Sequence, residues 1–255
     1  MLSAVVITLN EEQKLKDAIK SLSFADEILV VDSGSTDKTF DIAKKEGARV
    51  IVNKRLKGFT EPRNYGLKEA KGDWILYMDA DERVTPELKI EIQKIINVKK
   101  FEKYGCFAIP RKNIILGKEL KHGWWPDYVK RLFFKDNIKG WTGDLHEEPD
   151  FVGDIYHLKS PFLHIKHSNL SEMVGKTNKW SEVEAKLMLD KDHPPMNAIR
   201  FSTALFREFW LRMISQKAFL DGTVGIIYAI YQIFSRFLSY AKLWEMQLNS
   251  SRKSR

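Results

Sequence analysis

The sequence places two aspartates one residue apart where a buried strand is predicted to end. Asp79 and Asp81 follow the apolar run 74–78, and Glu82 comes directly after them. Side chains alternate along a strand, so the two carboxylates point the same way, roughly 7 Å apart in an extended chain. Two like charges at that distance require a cation, and hard oxygen ligands suit Mg²⁺ or Mn²⁺ holding a diphosphate. The alternative is a solvated acidic turn that caps the next helix.

Polar side chains also follow the first two predicted strands. The first strand ends in the run Thr8-Leu9-Asn10-Glu11, and the second ends in Asp32-Ser33-Gly34-Ser35-Thr36-Asp37. The pair Arg63-Asn64 precedes the two aspartates by about fifteen residues. Ligands of parallel sheets bind beyond the carboxyl ends of the strands, so these residues are candidates for one shared site.

The elements that must position these residues alternate between strand and helix. Short apolar runs rich in β-branched residues predict strands, and apolar residues at helical spacing predict the helices between them. The strands are predicted at 4–9, 27–31, 49–52 and 74–78, and the helices at 11–22, 35–45 and 61–70. Thr36 or Ser35 is the predicted cap of the second helix, which extends through Lys45. Thr85-Pro86 predicts a capped start for a fourth helix. This alternation indicates βαβ units on a mostly parallel sheet. Residues 104–165 are less regular, and the pattern from Ser171 to the end is helical, with breaks at 193–195 and 221–222.

The positive charge of the chain is concentrated at its C-terminal end. The chain of 255 residues has 42 Lys+Arg and 34 Asp+Glu, a net charge of +8. Residues 196–255 contain nine basic and three acidic side chains, while the first 195 residues contain 33 and 31. A single cysteine, Cys106, excludes an intramolecular disulfide framework and a cysteine zinc site. A Rossmann G-x-G-x-x-G and a Walker A sequence are both absent, which argues against a plain dinucleotide or ATP site.

Together these motifs resemble the nucleotide-sugar-binding half of the family 2 glycosyltransferases, which are inverting enzymes with a GT-A fold. The resemblance covers about residues 3–90. It assigns the following residues to the nucleotide-sugar donor: Thr8, Asn10, Glu11, Asp32, Arg63, Asn64, Asp79, Ala80 and Asp81. The first four of these are expected to hold the nucleoside. The D-x-D pair is expected to contact the ribose and the metal-bound diphosphate.

The second half of the chain resembles one branch of that family, the bacterial lipopolysaccharide core β-1,4-glucosyltransferases. The shared motifs occur in the order Arg131-Leu132-Phe133, Gly143-Asp144-Leu145-His146-Glu147, Leu163-His164, Lys176, Trp180 and Asp221-Gly222-x-x-Gly225. In that branch the His-Glu pair occupies the place of the catalytic carboxylate, so the resemblance implies that Glu147 is the general base. Such a base deprotonates an acceptor hydroxyl as it attacks C1 of the donor sugar, which inverts the anomeric centre. Asp144 is the competing base, and a loop carboxylate without a catalytic role is the other alternative.

The resemblance also suggests a metal site and two cationic contacts. His164 stands where a downstream histidine of the family approaches the metal or the diphosphate, so Asp81 and His164 are expected to bind Mg²⁺ or Mn²⁺. A structural histidine is the alternative, and His167, which stands where the branch usually has an aromatic residue, adds a second imidazole nearby. Arg131 and Lys176 are expected to bind the donor and to neutralise its diphosphate as it breaks. Solvation at the surface is the alternative for both.

The basic C-terminal end is also aromatic. Apolar and aromatic residues, among them Phe201, Leu205 and Phe209, recur at helical spacing, and Arg200 and Arg207 interleave with them. One interpretation is an anchor at an anionic membrane surface. The alternatives are helices that pack on each other and on the catalytic domain, or a nucleic-acid contact, for which no recognised motif is present. The longest apolar stretch, 223–234, is shorter than the ~20 residues that a transmembrane helix requires.

We therefore predict an α/β chain with a GT-A-type, Rossmann-like, mostly parallel central sheet flanked by helices. Residues 1–195 are predicted to form the catalytic domain and residues 196–255 a helical extension. The expected activity is metal-dependent, inverting transfer of a hexose, glucose from UDP-glucose, to a lipid-linked saccharide such as the lipopolysaccharide inner core. The expected location is the cytoplasmic face of the inner membrane. Alternatives are a glycosyltransferase for a polyprenyl-linked or capsular glycan, a non-catalytic nucleotide-sugar-binding membrane scaffold, and a nucleotidyltransferase, which the missing Gly-rich phosphate loop disfavours.

Overall fold

The computed structural model of the chain describes residues 1–101, 103–124, 127–143, 147–167 and 169–253, with side chains as far as Ser250. The described chain divides into two units. The first unit comprises Met1–Lys112 and Pro126–His164, and the second comprises Asn113–Trp125 and Ile165–Arg255.

The described residues form twelve strands and seven α-helices. The strands are β1 Leu2–Thr8, β2 Glu27–Asp32, β3 Arg49–Val52, β4 Trp74–Asp79, β5 Glu82–Val84, β6 Tyr104–Ile115, β7 Lys118–Leu120, β8 Tyr128–Phe134, β9 Ile138–Thr142, β10 Glu148–Phe151, β11 Asp154–His157 and β12 Phe162–His167. The helices are α1 Leu15–Ser21, α2 Thr39–Lys45, α3 Thr60–Glu69, α4 Pro86–Ile96, α5 Leu170–Asp190, α6 Ala198–Phe209 and α7 Gly222–Lys253. Short 3₁₀ segments lie at Lys99–Phe101, Lys135–Asn137 and Ala218–Asp221, and a π-helical segment lies at Trp210–Ser215.

The first unit is built on a parallel sheet, as predicted. Strand β1 pairs in parallel with β2 and β4, and β2 pairs in parallel with β3, which gives the order β3-β2-β1-β4. These strands are continuous apolar runs because helices cover both faces of such a sheet. The register sets Thr8 opposite Asp32 and Ile7 opposite Asp79, so the polar residues that follow the strands share one edge.

Antiparallel strands extend this sheet, and they are the part that the sequence pattern did not predict in detail. Strand β8 pairs with β4, and β6 pairs with β8, both antiparallel. A separate ribbon is formed by β9 and β10, with Thr142 opposite Glu148. The short strand β5 pairs antiparallel with β12, with Glu82 opposite His164. This last pairing brings the distant His164 to the residues that follow β4.

Two apolar clusters fill the two faces of the sheet. Alternate strand residues point to one face or the other, as the period of a strand requires. One cluster includes side chains of α1, α2 and α4, and the other includes Tyr77, Phe133 and Trp141 with flanking residues of α3. Helix α3 packs closely on the sheet at Gly66, where a Cβ atom would come 2.4 Å from a methyl carbon of Val5. This close approach fixes the preceding turn of α3 over the end of the sheet.

The helix starts agree with the predictions at one site and differ at another. Thr85 caps α4, its Oγ1 accepting a hydrogen bond from Leu88 N at 3.2 Å, and Pro86 is the first helical residue. The predicted cap at Ser35 or Thr36 is wrong, because α2 begins at Thr39. Both hydroxyl residues belong instead to the loop after β2, where they bind side chains described below.

The second unit is mainly helical. Helix α5 packs against α7, and buried Met173 and Ala185 of α5 share apolar clusters with Tyr228 and Leu243 of α7. The predicted breaks are present, since α6 follows the 193–195 segment and α7 begins at Gly222 with a positive φ of 67°. The sequence analysis judged the apolar run 223–234 too short to cross a membrane, but this run is part of a longer helical segment. The helical segment Ala218–Ser250 is long and apolar enough to cross a membrane by length and composition, with 28% of its most apolar window buried. The domain boundary at residue 195 stays a prediction.

Candidate active site

The loops after β1 and β2 are tied together by side-chain hydrogen bonds. Asp32 is buried, and its Oδ1 accepts from Gly34 N at 2.9 Å and from Ser35 N and Oγ at 2.8 Å. Asn10 has a positive φ of 56°, its N donates to Ser35 Oγ at 2.8 Å, and its Oδ1 accepts from Thr36 N at 2.8 Å. Asparagine tolerates this left-handed conformation better than most residues. The carboxyl edge of the parallel sheet is therefore preorganised at these two strands.

Two further residues of the predicted nucleoside site lie at the same edge. Thr8 ends β1, and among the described residues its buried Oγ1 has no hydrogen-bond partner. Glu11 N donates to Thr39 Oγ1 at 2.9 Å, which ties the loop after β1 to the start of α2. The structure thus brings Thr8, Asn10, Glu11 and Asp32 together, and their role in holding a nucleoside stays a prediction.

Asp79 is held between two arginine side chains. Its Oδ1 accepts from Arg63 Nη2 at 2.8 Å, and its Oδ2 accepts from Arg131 Nη2 at 2.7 Å. Burial raises the pKa of Asp79, but the opposing charges of Arg131 and Arg63 outweigh it and leave that pKa below its usual value. The sequence suggested that a metal between the two aspartates would balance their charge. For Asp79 the protein itself provides two guanidinium groups.

A buried network of charges extends from Asp79 into the first unit. Glu82 is fully buried, its Oε2 accepts from Asp79 N at 3.0 Å, and its Oε1 lies 3.2 Å from Arg111 Nη1. Arg111 also pairs with Asp127 at 2.8 Å, and Arg131 Nε lies 3.8 Å from Glu82 Oε2. Buried charges are stable only when paired and hydrogen-bonded in this way. The network fixes both the carboxylate of Asp79 and the guanidinium of Arg131, and it excludes the surface-solvated alternative for Arg131.

The D-x-D turn itself is stabilised at its middle residue. Ala80 is buried, and its carbonyl oxygen accepts from Arg83 Nη1 at 2.8 Å. Arg83 Nη2 also donates to Lys14 O at 2.5 Å, which ties the turn to the start of α1. These bonds hold the backbone between Asp79 and Asp81.

Asp81 and His164 lie side by side. His164 Nε2 is 3.6 Å from Asp81 Oδ2, because the pairing of β5 with β12 sets His164 opposite Glu82. A carboxylate oxygen and an imidazole nitrogen at this distance are a partial donor set for Mn²⁺ or Mg²⁺, which commonly take further ligands from substrate phosphates and water. No cluster of three or more His, Cys, Asp or Glu side chains is found in the described ranges. Among the described residues, Asp81 and His164 could therefore provide two ligands to a metal whose other ligands are diphosphate oxygens and water.

Helix α3 connects Asp79 of the D-x-D pair with Glu147. Arg63 is 1% exposed, and while its Nη2 binds Asp79, its Nη1 lies 2.9 Å from Glu147 Oε1. Burial lowers the pKa of the Arg63 guanidinium, as does the nearby charge of Arg131. The guanidinium also lies over the Trp141 ring, 4.9 Å from its centre. One side chain of α3 thus holds both the first carboxylate of the D-x-D pair and the candidate base.

The same helix holds the backbone that leads to Glu147. Asn64 Nδ2 donates to Trp141 O at 2.9 Å, and its Oδ1 accepts from Trp141 N at 2.7 Å. Thr60 Oγ1 donates to Gly143 O one turn earlier in the helix. Both polar ends of the Asn64 amide are therefore occupied by the protein backbone. Direct donor contacts of Arg63 and Asn64 stay predictions, whereas their positioning contacts are observed.

The remaining predicted residues belong to the second unit or lie outside the described residues. Lys176 belongs to α5 of the second unit, and its Nζ lies 3.1 Å from Glu172 Oε1. Its predicted contact with the diphosphate stays untested. Asp144, the competing base, and His146 lie outside the described residues.

The residues that the sequence analysis missed are mainly the other members of the buried charge network around Asp79, which are Glu82, Arg111 and Asp127. Glu82 follows the D-x-D pair directly, which was a signal that it belongs to the site. Arg111 and Asp127 are remote in sequence from that pair, and no motif marked them. Thr60, three residues before Arg63, was likewise unmarked.

Comparisons with known proteins identify the family of the chain. A family model described as glycosyl transferase family 2 matches residues 3–152, more than half of the chain. An uncharacterized glycosyltransferase of Rickettsia bellii is 32% identical over 267 residues, which cover 100% of this chain and 90% of that relative. The lipopolysaccharide core biosynthesis glycosyltransferase LpsC of Rhizobium meliloti is 24% identical over 96% of this chain and 92% of its own length.

Among solved structures, a crystal structure of S. aureus TarS 1–349 in complex with UDP-GlcNAc shares the fold. Its TM-score is 0.50 at 16% identity, and the match covers 100% of this chain and 92% of that one. This likeness confirms the predicted mostly parallel sheet with flanking helices. The chain belongs to glycosyltransferase family 2 and has a GT-A fold.

Proposed function

We propose that this glycosyltransferase moves a hexose from a nucleotide sugar to an acceptor hydroxyl with inversion at C1. The observation that carries the proposal is the position of Arg63. Its guanidinium binds Asp79 of the D-x-D pair and Glu147 at the same time, at 2.8 and 2.9 Å. Asp79, which belongs to the pair proposed to bind the donor, and Glu147, the proposed base, are therefore held by one side chain.

The chemistry follows from the roles of these two carboxylates. Glu147 accepts the proton of the acceptor hydroxyl, and the oxygen of that hydroxyl forms a bond to C1 as the bond from C1 to the diphosphate oxygen breaks. The electron pair leaves with the nucleoside diphosphate, and a single displacement inverts the configuration at C1. A bound Mg²⁺ or Mn²⁺ provides positive charge at the diphosphate in such a site, with Asp81 and His164 as its protein ligands. The guanidinium of Arg63 orients Glu147 for proton transfer.

The proposed donor is UDP-glucose. The motifs from Arg131 to Glu147 and at Leu163-His164 resemble the lipopolysaccharide core β-1,4-glucosyltransferases, and that branch transfers glucose. Thr8, Asn10, Glu11 and Asp32 are proposed to hold the nucleoside at the edge of β1 and β2, where Asp32 is already fixed by the turn after β2. Arg131 and Lys176 are proposed to contact the donor as the diphosphate leaves.

The proposed acceptor is a lipid-linked saccharide, such as the inner core of lipopolysaccharide. The name of the Rhizobium meliloti relative LpsC, which aligns over nearly the whole chain, supports this acceptor class. An enzyme that acts on a polyprenyl-linked or capsular glycan is the second candidate, since the same donor site would serve it. Both acceptors place the enzyme at the cytoplasmic face of the inner membrane.

A donor-turnover assay tests the proposal. Purified protein is incubated with UDP-glucose, UDP-galactose, UDP-GlcNAc or GDP-mannose, with Mg²⁺, Mn²⁺ or EDTA, and release of nucleoside diphosphate is measured. We expect metal-dependent turnover that is fastest with UDP-glucose and is lost in Asp81→Ala. Asp41→Ala, which removes an exposed carboxylate on α2, is the matched control and should leave turnover unchanged. Absence of turnover with every nucleotide sugar would instead favour the non-catalytic scaffold.

A further inference from the structure

Helix α6 turns an apolar side to solvent. Ile199, Phe206 and Trp210 are 75%, 64% and 53% exposed, and their spacing of seven and four residues puts them on one side of the helical path. The acidic residue Glu208 is buried instead, where its Oε1 accepts from Arg212 Nε at 2.7 Å. A surface helix of a globular protein turns its polar side outward. Helix α6 departs from that arrangement, because large apolar side chains are exposed beside its arginines while its acidic residue is buried.

The exposed charged side chains of the segment between Met196 and Gly222, which contains α6, all have one sign. Between Met196 and Gly222, Arg200, Arg207 and Lys217 are exposed, whereas both acidic residues of this segment are buried. Besides Glu208, these acids include Asp221, whose Oδ2 accepts from His122 N at 2.7 Å. The exposed surface of the segment is therefore cationic as well as apolar.

We propose that this surface binds the anionic headgroups of a lipid bilayer, with α6 lying in the plane of the interface. We call it the α6 surface, and it consists of Ile199, Phe206, Trp210, Arg200, Arg207 and Lys217. Helices that lie in a membrane interface combine Trp and Phe on an apolar side with Lys and Arg that reach the headgroups. The indole of Trp210 is suited to that boundary because one part of it is apolar and its N–H is polar. The α6 surface shares no residue with the candidate donor site, so its binding to lipid does not depend on the identity of the donor.

Charge argues against a second copy of the chain as the partner. A symmetric dimer sets the same surface of two subunits against each other. Such a contact would bring Arg200, Arg207 and Lys217 of one copy towards the same three cations of the other, with no exposed acidic side chain in this segment to pair with them. An anionic bilayer provides the missing negative charge.

Vesicle flotation with the full chain tests the proposal. We expect the protein to float with vesicles that contain phosphatidylglycerol and to bind pure phosphatidylcholine vesicles far more weakly. The double variant Phe206→Gln, Trp210→Gln should lower the partition coefficient at least about tenfold, because it removes two large apolar side chains from the interface. Ile90→Gln on α4, where Ile90 is 67% exposed, is the matched control and should bind as the parent does.

A second pair of variants tests the charge. Arg200→Gln with Arg207→Gln should weaken binding to the phosphatidylglycerol vesicles by about fivefold for each cation removed. The pair Lys94→Gln and Lys99→Gln removes two exposed cations from the first unit and should have little effect. Turnover of a nucleotide sugar in solution should be unchanged in all four α6 substitutions, so failure of membrane binding and failure of the proposed reaction are separate results.

Four results would overturn the inference. Equal binding of the parent chain to neutral and anionic vesicles, or unchanged binding after Phe206→Gln with Trp210→Gln, removes the α6 surface as the lipid contact. A concentration-dependent dimer in sedimentation equilibrium that this variant abolishes identifies a second copy as the partner. Retention in cell membranes after carbonate extraction shows that α7 spans the bilayer through its exposed apolar row Ile226, Ile230, Phe234, Phe237, Trp244 and Leu248. Release by carbonate is the result that we expect.

Discussion

Replacing Asp79 by asparagine is expected to destabilise the fold, whereas the same replacement at Asp81 is expected to act mainly on activity. The two residues have the same side chain and are separated only by Ala80. Asp79 binds Arg63 and Arg131 at 2.8 and 2.7 Å, and both guanidinium groups are almost fully buried. Asp81 lies 3.6 Å from His164. Asp79→Asn therefore removes a carboxylate that compensates buried positive charge, and Asp81→Asn removes one that lies beside an imidazole.

The size of the effect follows from the burial of the two arginines. Removing one partner from a buried ion pair costs about 3–5 kcal/mol, and because 28% of the Asp79 side chain is exposed we expect about 3 kcal/mol. For a chain of this size that corresponds to a fall in Tm of about 6–12 °C. The pKa of Asp79 is lowered in the folded state, so its contribution is complete above the pKa of the unfolded carboxyl, about 3.9, and is lost as the pH falls through the folded value.

Thermal unfolding followed by circular dichroism at neutral pH and below pH 4 measures this difference. The parent and Asp79→Asn should differ most at neutral pH and converge in acid, while Asp81→Asn should lose less stability than Asp79→Asn at neutral pH, because Asp79 compensates two buried guanidinium groups. Asp81→Asn should nevertheless lose donor turnover. Equal stability of the parent and Asp79→Asn at neutral pH, or a larger loss for Asp81→Asn than for Asp79→Asn, would refute the reasoning.

Three other predictions concern the positioning helix, the single cysteine and a helix cap. Arg63→Lys keeps the charge but cannot bind Asp79 and Glu147 with separate nitrogens, so kcat should fall by about 10–100-fold; the loss should be much smaller in a Glu147→Gln background, and multiplicative losses would contradict a shared role. Burial raises the pKa of Cys106 to about 12, so its thiol should resist dithionitrobenzoate until the protein unfolds, and rapid labelling of the native chain would contradict this. Thr85→Ala should lower the unfolding free energy by about 1 kcal/mol through the lost cap of α4, measured by urea denaturation, and Thr203→Ala is the control because that threonine caps no helix.

The parallel part of the site was predictable from local sequence. Apolar runs of four to six residues identify the strands, and the carboxyl ends of parallel strands meet at one edge, so Thr8, Asp32 and Asp79 were expected to lie together. The Thr85-Pro86 start was predictable for a similar reason, because a cap and the first helical residue are neighbours in sequence. At these positions the tertiary structure agrees with the local sequence pattern, so the pattern alone was enough for the prediction.

The local pattern of the sequence does not predict which charged residues pair, because the pairs join distant segments, and only the family resemblance had marked Arg131 and His164 for the site. Arg131 reaches Asp79 through the antiparallel pairing of β8 with β4, and His164 reaches Asp81 through the pairing of β12 with β5. A three-residue strand such as β5 leaves too short a pattern to recognise. The burial of Arg63 was also hidden, since it depends on how closely Gly66 lets α3 approach the sheet.

The false helix cap at Ser35 and Thr36 has a related cause. Both residues are types that commonly cap helices, but here they form hydrogen bonds with the side chains of Asp32 and Asn10 instead. The competition between a helix cap and a loop that contacts a neighbouring strand end is decided by tertiary structure. Ser35 and Thr36, for which the local prediction was wrong, lie in the loops that form the candidate donor site.

The transfer rate of Glu147→Gln at saturating donor tests the central claim most directly. The amide keeps the shape of the side chain and can still bind Arg63 through its oxygen, but it cannot accept a proton. We predict a rate lower by about 10²–10⁴-fold, with the dissociation constant of the nucleotide sugar unchanged by calorimetry. A near-normal rate with unchanged donor affinity would contradict the account and would make Asp144 the next candidate for the base.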